Sequence, residues 1–258
     1  MKAWTDSDRA LLRLTGTDVR DFLQGLVTND VRRLDDGPVY AAILTPQGKY
    51  LADFILVPDG DGVLIDVAAD QAASLQQRLT LYKLRADVAI APDDRSVTLV
   101  WGGADLPGHP DPRNPALGTR LYGAPAPADA EEATAEDWHA LRVALGVPQA
   151  GSDLIANDSF ILEMGFERLN GVDFRKGCYV GQEVTARMKH KTELKKGLVR
   201  VRIEGAAAPG TEILAEDGRV AGDLRSVAGQ DGLAYLRFDR ADGPLRAGEA
   251  TIRLADQP

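Results

Sequence analysis

From Lys195 onward the chain breaks into short apolar runs at Gly197–Ile203, Thr211–Leu214, Arg219–Val227, Leu233–Phe238 and Ala250–Leu254. Pro209-Gly210, Asp217-Gly218 and Asp231-Gly232 stand between them. Glycine takes positive φ without steric cost, and proline and aspartate pre-shape reversals, so these pairs read as tight turns. Five strands within about 60 residues expose unpaired edges unless the sheet closes on itself. The spacing therefore predicts a small β-barrel at the C-terminus.

The rest of the chain has a different texture. A strand is expected at Ala10–Leu14, followed by Thr15-Gly16-Thr17-Asp18, which resembles a capping box. The helix it would open carries Val19, Phe22, Leu23 and Leu26 on one face and stops before Thr28-Asn29-Asp30. Strands follow at Val39–Leu44, Tyr50–Val57 and Val63–Val67, joined by turns at Thr45-Pro46-Gln47-Gly48 and at 58–62. A second helix is expected over Asp70–Leu84, then strands at Ala86–Ala91 and Val97–Trp101. This order is not a strict strand–helix–strand alternation, so an α+β fold with an antiparallel or mixed sheet is expected rather than a doubly wound one. Six prolines and five glycines between Gly102 and Pro127 mark 102–130 as a surface loop or linker. A short helix at Ala135–Leu145 turns Trp138, Leu141 and Leu145 inward, with His139 beside that face as a structural residue.

Charge narrows the class of partner. The formal net charge is −9, which opposes general attraction to nucleic acid or an anionic membrane. Yet Arg187–Arg202 holds seven Lys/Arg against Glu193 alone, a local +6 that leaves −15 elsewhere. That strip suits a local anion site, or equally a solvated basic sheet edge. No apolar run approaches the ~18 residues of a membrane span, and the opening residues lack a signal core, so a cytoplasmic protein is expected. Cys178 is the single cysteine, beside three histidines. The chain can therefore form no internal disulfide and cannot by itself supply four thiolates to an iron–sulfur cluster. No metal site is expected.

The chemistry concentrates between Asn170 and Lys191. Gly177 and Gly181 bracket Cys178 and Tyr179, and Cys178 lies two residues after Lys176 near an expected helix start. A nearby ammonium and a helix N-terminus both favour the thiolate. An inert small hydrophobe in a turn is the other reading. His190, twelve residues on, does not establish a base for the thiol from spacing alone.

Lys176-Gly177-Cys178-Tyr179-Val180-Gly181-Gln182-Glu183 resembles the K-G-C-Y-x-G-Q-E signature of the YgfZ-type folate-binding proteins. These are relatives of the glycine cleavage aminomethyltransferase (T-protein) and of mitochondrial iron–sulfur assembly factors. Gln24–Val31 looks like the family's first-helix exit, Leu141–Pro148 like its LR-x-G-x-P element, and Glu163 stands where the family carries a glutamate. The resemblance spans nearly the whole chain. It implies a ring-like arrangement of small α+β domains around a central tetrahydrofolate site, with residues 1–128 and 129–195 forming the folate core and 196–258 the barrel. It also implies folate contacts from Asn29, Asp53, Glu163, Lys176, Tyr179, Gln182 and Arg187. Arg187 would pair with the anionic glutamate tail, helped by Lys189, Lys191, Lys195 and Lys196.

The stretch Gly48–Asp53 keeps one carboxylate where the T-protein has a pair, and the K-G-C-Y lead-in is absent from the T-protein. Cys178 and Asp53 are thus the candidate catalytic groups, with Asp53 on folate nitrogens or assisting proton transfer. The other reading of Asp53 is a polar residue on an exposed strand face. The resemblance implies a folate-dependent factor for iron–sulfur enzymes, acting with iron–sulfur proteins or their assembly machinery. A folate-dependent one-carbon transferase is the alternative, and a non-catalytic folate sensor is a third reading. Nucleic-acid modification is weaker, since the basic strip lacks interleaved aromatics.

Overall fold

Five antiparallel strands make the first sheet of the computed structural model, which describes residues 1–191 and 193–255. Their spatial order is Val39–Leu44, Tyr50–Asp59, Gly62–Ala68, Arg9–Thr15 and Ala89–Asp93. Val39–Leu44 is buried along its whole length, because both faces of this sheet are covered. On one face, Leu12, Phe54 and Ile65 pack with Leu23 of helix α1 (Val19–Gln24) and with Leu75 and Leu79 of helix α2 (Ala69–Tyr82). On the other face Tyr40, Tyr50 and Val57 meet Trp101, Trp138 and Phe166. Side chains alternate across a strand, so Asp53 falls on the same face as Ile55 and Val57. It lies directly opposite Ala42 of the neighbouring strand.

The second sheet runs Glu131–Glu132, Lys2–Thr5, Val97–Trp101, Thr119–Tyr122 and His109–Pro110. Two of its strands correct the reading of 102–130 as loop: Thr119–Tyr122 pairs antiparallel with Val97–Trp101, and His109–Pro110 pairs with it in turn. A four-residue strand set among prolines and glycines carries too little periodicity to stand out. Lys2–Thr5, paired with Val97–Trp101, is a further strand that local pattern misses.

Helix α3 (Ala135–Ala144) bridges this sheet to the barrel. It opens on a true capping box, in which Thr134 accepts from Asp137 N and Asp137 accepts from Thr134 N. The capping box expected at Thr15–Asp18 does not form. Asp18 instead accepts from Asp87 N, and Thr17 donates to Asp87, so these residues tie the start of α1 to the loop after α2.

The C-terminal strands close into a barrel of six rather than five. Its members are Lys196–Glu204, Glu212–Ala215, Val220–Ala228, Asp231–Arg237, Leu245–Ala247 and Ala250–Leu254. Leu245–Ala247 is the additional strand, and it completes closure by joining Glu212–Ala215 to Ala250–Leu254. The α+β class with a C-terminal barrel is as expected. No helix among the described residues is long and apolar enough to cross a membrane.

Candidate functional site

Asp53 is buried, at 6% exposure, which replaces the exposed-face reading. Tyr40 Oη donates to its Oδ2 at 2.9 Å and Tyr50 Oη to its Oδ1 at 2.7 Å. Burial, reinforced by the neighbouring Asp53, raises the pKa of both phenols, so both stay protonated donors. Each carboxylate oxygen has two lone pairs, which leaves Asp53 able to accept further hydrogen bonds. Gln71 of α2 donates to Tyr50 Oη at 3.1 Å and helps orient that phenol.

Asp53 forms part of the wall of a cavity of about 610 Å³. Trp4 and Trp138 contribute aromatic surface, and Arg113, Arg120 and Arg142 contribute cations. Those guanidinium groups are held by buried acids. Arg120 donates to Asp66 at 2.8 Å and to Asp111 at 3.0 Å, Arg113 pairs with Asp111 at 2.7 Å, and Arg9 pairs with Asp66 at 2.6 Å. Burial pushes Asp66 and Asp111 up, but Arg9, Arg113 and Arg120 outweigh it and hold both carboxyls below the usual range. Asp66 belongs to the first sheet and Arg120 to the second, so this cluster staples the two layers beneath the cavity.

Arg142 joins α3 to the barrel through Asp153 at 2.8 Å and Ser226 at 2.9 Å. It also donates to His139 Nδ1 at 3.0 Å. Arginine has no acceptor, so this contact makes Nε2 the protonated nitrogen of His139, donating to Val227 O at 3.0 Å. His139 is thereby a bridge between α3 and the barrel.

The signature segment builds a second locus. Lys176 is buried and its Nζ donates to the carbonyls of Gln24 and Val27, both at 2.6 Å, at the exit of α1. Burial pulls its pKa down to about 8. Gln24 answers by donating to Lys176 O at 3.1 Å. Asn29 is buried and donates to the carbonyls of Tyr40 and Asn170, while its own oxygen accepts from Asp30 N. Two motifs about 150 residues apart are therefore stitched together by side chain to backbone hydrogen bonds. Replacing Lys176 with methionine removes the donor to two helix-end carbonyls and is expected to lower stability by ~1–3 kcal/mol. Urea unfolding of both proteins measures this, and an unchanged midpoint would contradict it.

Tyr179 packs in the main core with Lys176 Nζ 5.0 Å from its ring centroid, and burial lifts its pKa to about 12. Cys178 is exposed between these buried neighbours. The ammonium of Lys176 is directed at carbonyls, and helix α4 (Gln182–Lys191) begins four residues after the thiol, not beside it. Gln182 opens that helix. Arg187 lies on its exposed side in an ion pair with Glu183 at 2.7 Å, and Lys189 pairs with Glu167. Of the basic strip, the side chain of Lys191 lies outside the described residues.

Glu163 stands elsewhere again. Its carboxylate accepts from Tyr235 Oη and its carbonyl from Leu198 N, which joins it to the barrel. Asp53 is thus the one sequence-predicted residue on the cavity wall, and no residue of 170–191 lines the cavity among the described residues. Reasoning on the sequence missed Tyr40, Tyr50, Arg113 and Arg120. The legible signal was arginine inside an apolar run, as in Thr119-Arg120-Leu121-Tyr122. No three His, Cys, Asp or Glu side chains converge as metal ligands among the described residues.

Comparison with known proteins places this geometry. Residues 195–258 match the domain described as CAF17, C-terminal beta-barrel domain. The protein is 32% identical over 302 residues to the iron–sulfur cluster assembly factor IBA57, mitochondrial, of Mus musculus, covering 98% of this chain and 83% of that protein. Its Homo sapiens counterpart is 32% identical, with 96% and 81% covered. The IBA57 homolog of Neurospora crassa is 34% identical over 78% of this chain, which spans 54% of that longer protein. The glycine cleavage aminomethyltransferase T of Bartonella henselae shares the fold, with a TM-score of 0.77 at 12% identity over 98% of this chain and 84% of that one. The resemblance carried by the signature is borne out. The expected cytoplasmic location is overturned, because these IBA57 relatives are named as mitochondrial. The chain belongs to the IBA57 family of iron–sulfur cluster assembly factors.

Proposed function

We propose that this protein binds tetrahydrofolate in the cavity walled by Asp53 and uses that complex in the assembly or repair of iron–sulfur enzymes. The observation that carries the ligand is a buried carboxylate, held by two tyrosines and still able to accept, on the wall of a space of about 610 Å³. That volume is within the usual range for a small-molecule site. The donor chemistry fits a reduced pterin. Its ring amines and N–H groups are donors for Asp53, and its planar pyrimidinone half suits the aromatic surface of Trp4 and Trp138. Tetrahydrofolate, when bound, supplies an amine pair that takes up or releases a one-carbon unit.

The chain's own residues orient and hold the ligand. Tyr40 and Tyr50 lock the Asp53 carboxylate in one rotamer, so its outward lone pairs are preorganised. Cys178, exposed and not part of the cavity lining, can meet a partner's thiols or a transient adduct. The IBA57 relatives are named as iron–sulfur cluster assembly factors, which supports that partner class. A one-carbon transferase is the second reading, favoured by Asp53 in a fold shared with an aminomethyltransferase.

Anaerobic calorimetry of tetrahydrofolate binding to wild type, Asp53→Ala and Cys178→Ala tests the assignment. Binding is expected to weaken at least tenfold in Asp53→Ala and to persist in Cys178→Ala. Absence of binding to wild type sinks the folate reading, and loss in Cys178→Ala alone moves the ligand to the signature segment.

A further inference from the structure

The charges around the cavity divide by depth. Arg113, Arg120 and Arg142 have side chains only 10%, 3% and 4% exposed, and each is ion-paired to a buried aspartate. Arg9, at 17%, is held by Asp66. The lining charges that are exposed to solvent are Asp8, Asp70 and Glu136. Among the described residues, the solvent-exposed charges of the cavity lining are therefore carboxylates, with no exposed cation. The four arginines share three aspartates, Asp66, Asp111 and Asp153, which leaves one positive charge in excess against the Asp53 carboxylate of the same lining.

A folate whose pterin meets Asp53 and whose benzoyl-glutamate end reaches solvent brings that tail to the exposed part of the lining, where Asp8, Asp70 and Glu136 stand. Each further γ-linked glutamate uses one carboxylate in its amide and adds two, a net −1 per residue. Exposed like charges a few ångströms apart repel weakly in water, yet several acting together change affinity severalfold at low ionic strength. The basic strip that the sequence offered for the tail contributes no residue to the cavity lining among the described residues, and Arg187 and Lys189 within it are paired to Glu183 and Glu167.

Resting on the folate assignment above, we propose that the acidic rim of Asp8, Asp70 and Glu136 selects short-tailed, monoglutamyl folate over polyglutamyl folate. The rim acts on the tail, not on the pterin, so it sets which folate pool the protein samples.

The test is calorimetry with monoglutamyl and pentaglutamyl tetrahydrofolate on the full chain, at about 0.02 M and 0.5 M salt. The expected result is about three- to tenfold weaker binding of the pentaglutamate at low salt, with the ratio falling toward one at high salt. Reversing the rim with Asp8→Lys, Asp70→Lys and Glu136→Lys together is expected to invert the preference. Circular dichroism of that variant separates inversion from misfolding, and the salt dependence of the wild type stands without it. Equal or tighter binding of the pentaglutamate at low salt overturns the inference and leaves the folate reading intact. Failure of both ligands to bind overturns the folate reading, and this inference with it.

Discussion

Replacing Arg120 with methionine is expected to destabilise the protein by ~3 kcal/mol, at the lower end of the range for breaking a buried ion pair. The guanidinium is 3% exposed and serves Asp66 and Asp111 at once. Methionine keeps much of the volume but leaves both carboxylates short of a partner inside the molecule. The loss stops near the lower end because Arg9 and Tyr122 still reach Asp66, and Arg113 still pairs with Asp111. Chemical denaturation near neutral pH reads the difference, and a change under ~1 kcal/mol would show that the layers do not depend on this staple.

The same cluster sets a pH dependence. Asp66 and Asp111 are held below their ordinary value of 3.8 in the folded chain, so the unfolded chain binds protons more readily there. Their contribution is complete above that value and declines as pH falls below it. Stability measured downward from pH 5 is expected to fall, and to fall less in Arg120→Met, whose cluster has already lost its central cation.

The second large effect is expected at Gly181. Its φ is +83°, and a Cβ there would stand 2.6 Å from Thr45 O and 2.9 Å from Leu44 Cβ. Across the contact, Gly48 has φ +75°, and a Cβ there would stand 2.8 Å from Val184 Cβ. These two glycines let the signature helix α4 seat against the turn at 45–48. Gly181→Ala must therefore both adopt a left-handed backbone and push that turn away, at a cost of ~2–4 kcal/mol from strain and overpacking combined. Hydrogen exchange is expected to accelerate over 176–191 while the barrel amides keep their protection. Unchanged exchange in that segment would mean that the docking tolerates a side chain.

What was legible in the sequence had a local cause. The strand Val39–Leu44 was placed with its observed bounds because six apolar residues end in a Thr-Pro-Gln-Gly turn. The barrel was readable from its turn dipeptides, apart from Leu245–Ala247, whose three residues are too few to show a period. The signature from Lys176 to Glu183 identified the family by its residues alone. The helix α3 face was legible too, but Arg142 on it looked like part of a motif rather than the bond between α3 and the barrel.

The site depended on contacts far apart in the chain. Whether Asp53 faced solvent or core turned on which sheet face Trp138 and Phe166 would cover, and strand alternation by itself cannot choose between faces. Asp66, Asp111 and Arg120 look like ordinary charged residues until two sheets stack and exclude water, which makes their pairing obligatory. Likewise, the seating of the signature segment follows from Lys176 and Asn29 anchoring it to the exit of α1, contacts that join residues about 150 positions apart. The sequence by itself determined the longer elements, the presence of the barrel and the family, because turn chemistry, side-chain periodicity and the signature motif act over a few residues, whereas the short strands Lys2–Thr5, His109–Pro110, Thr119–Tyr122 and Leu245–Ala247 needed their partners. Only the tertiary structure decided which charges are buried, which pair, and which line the cavity, because desolvation is a property of the assembled layers.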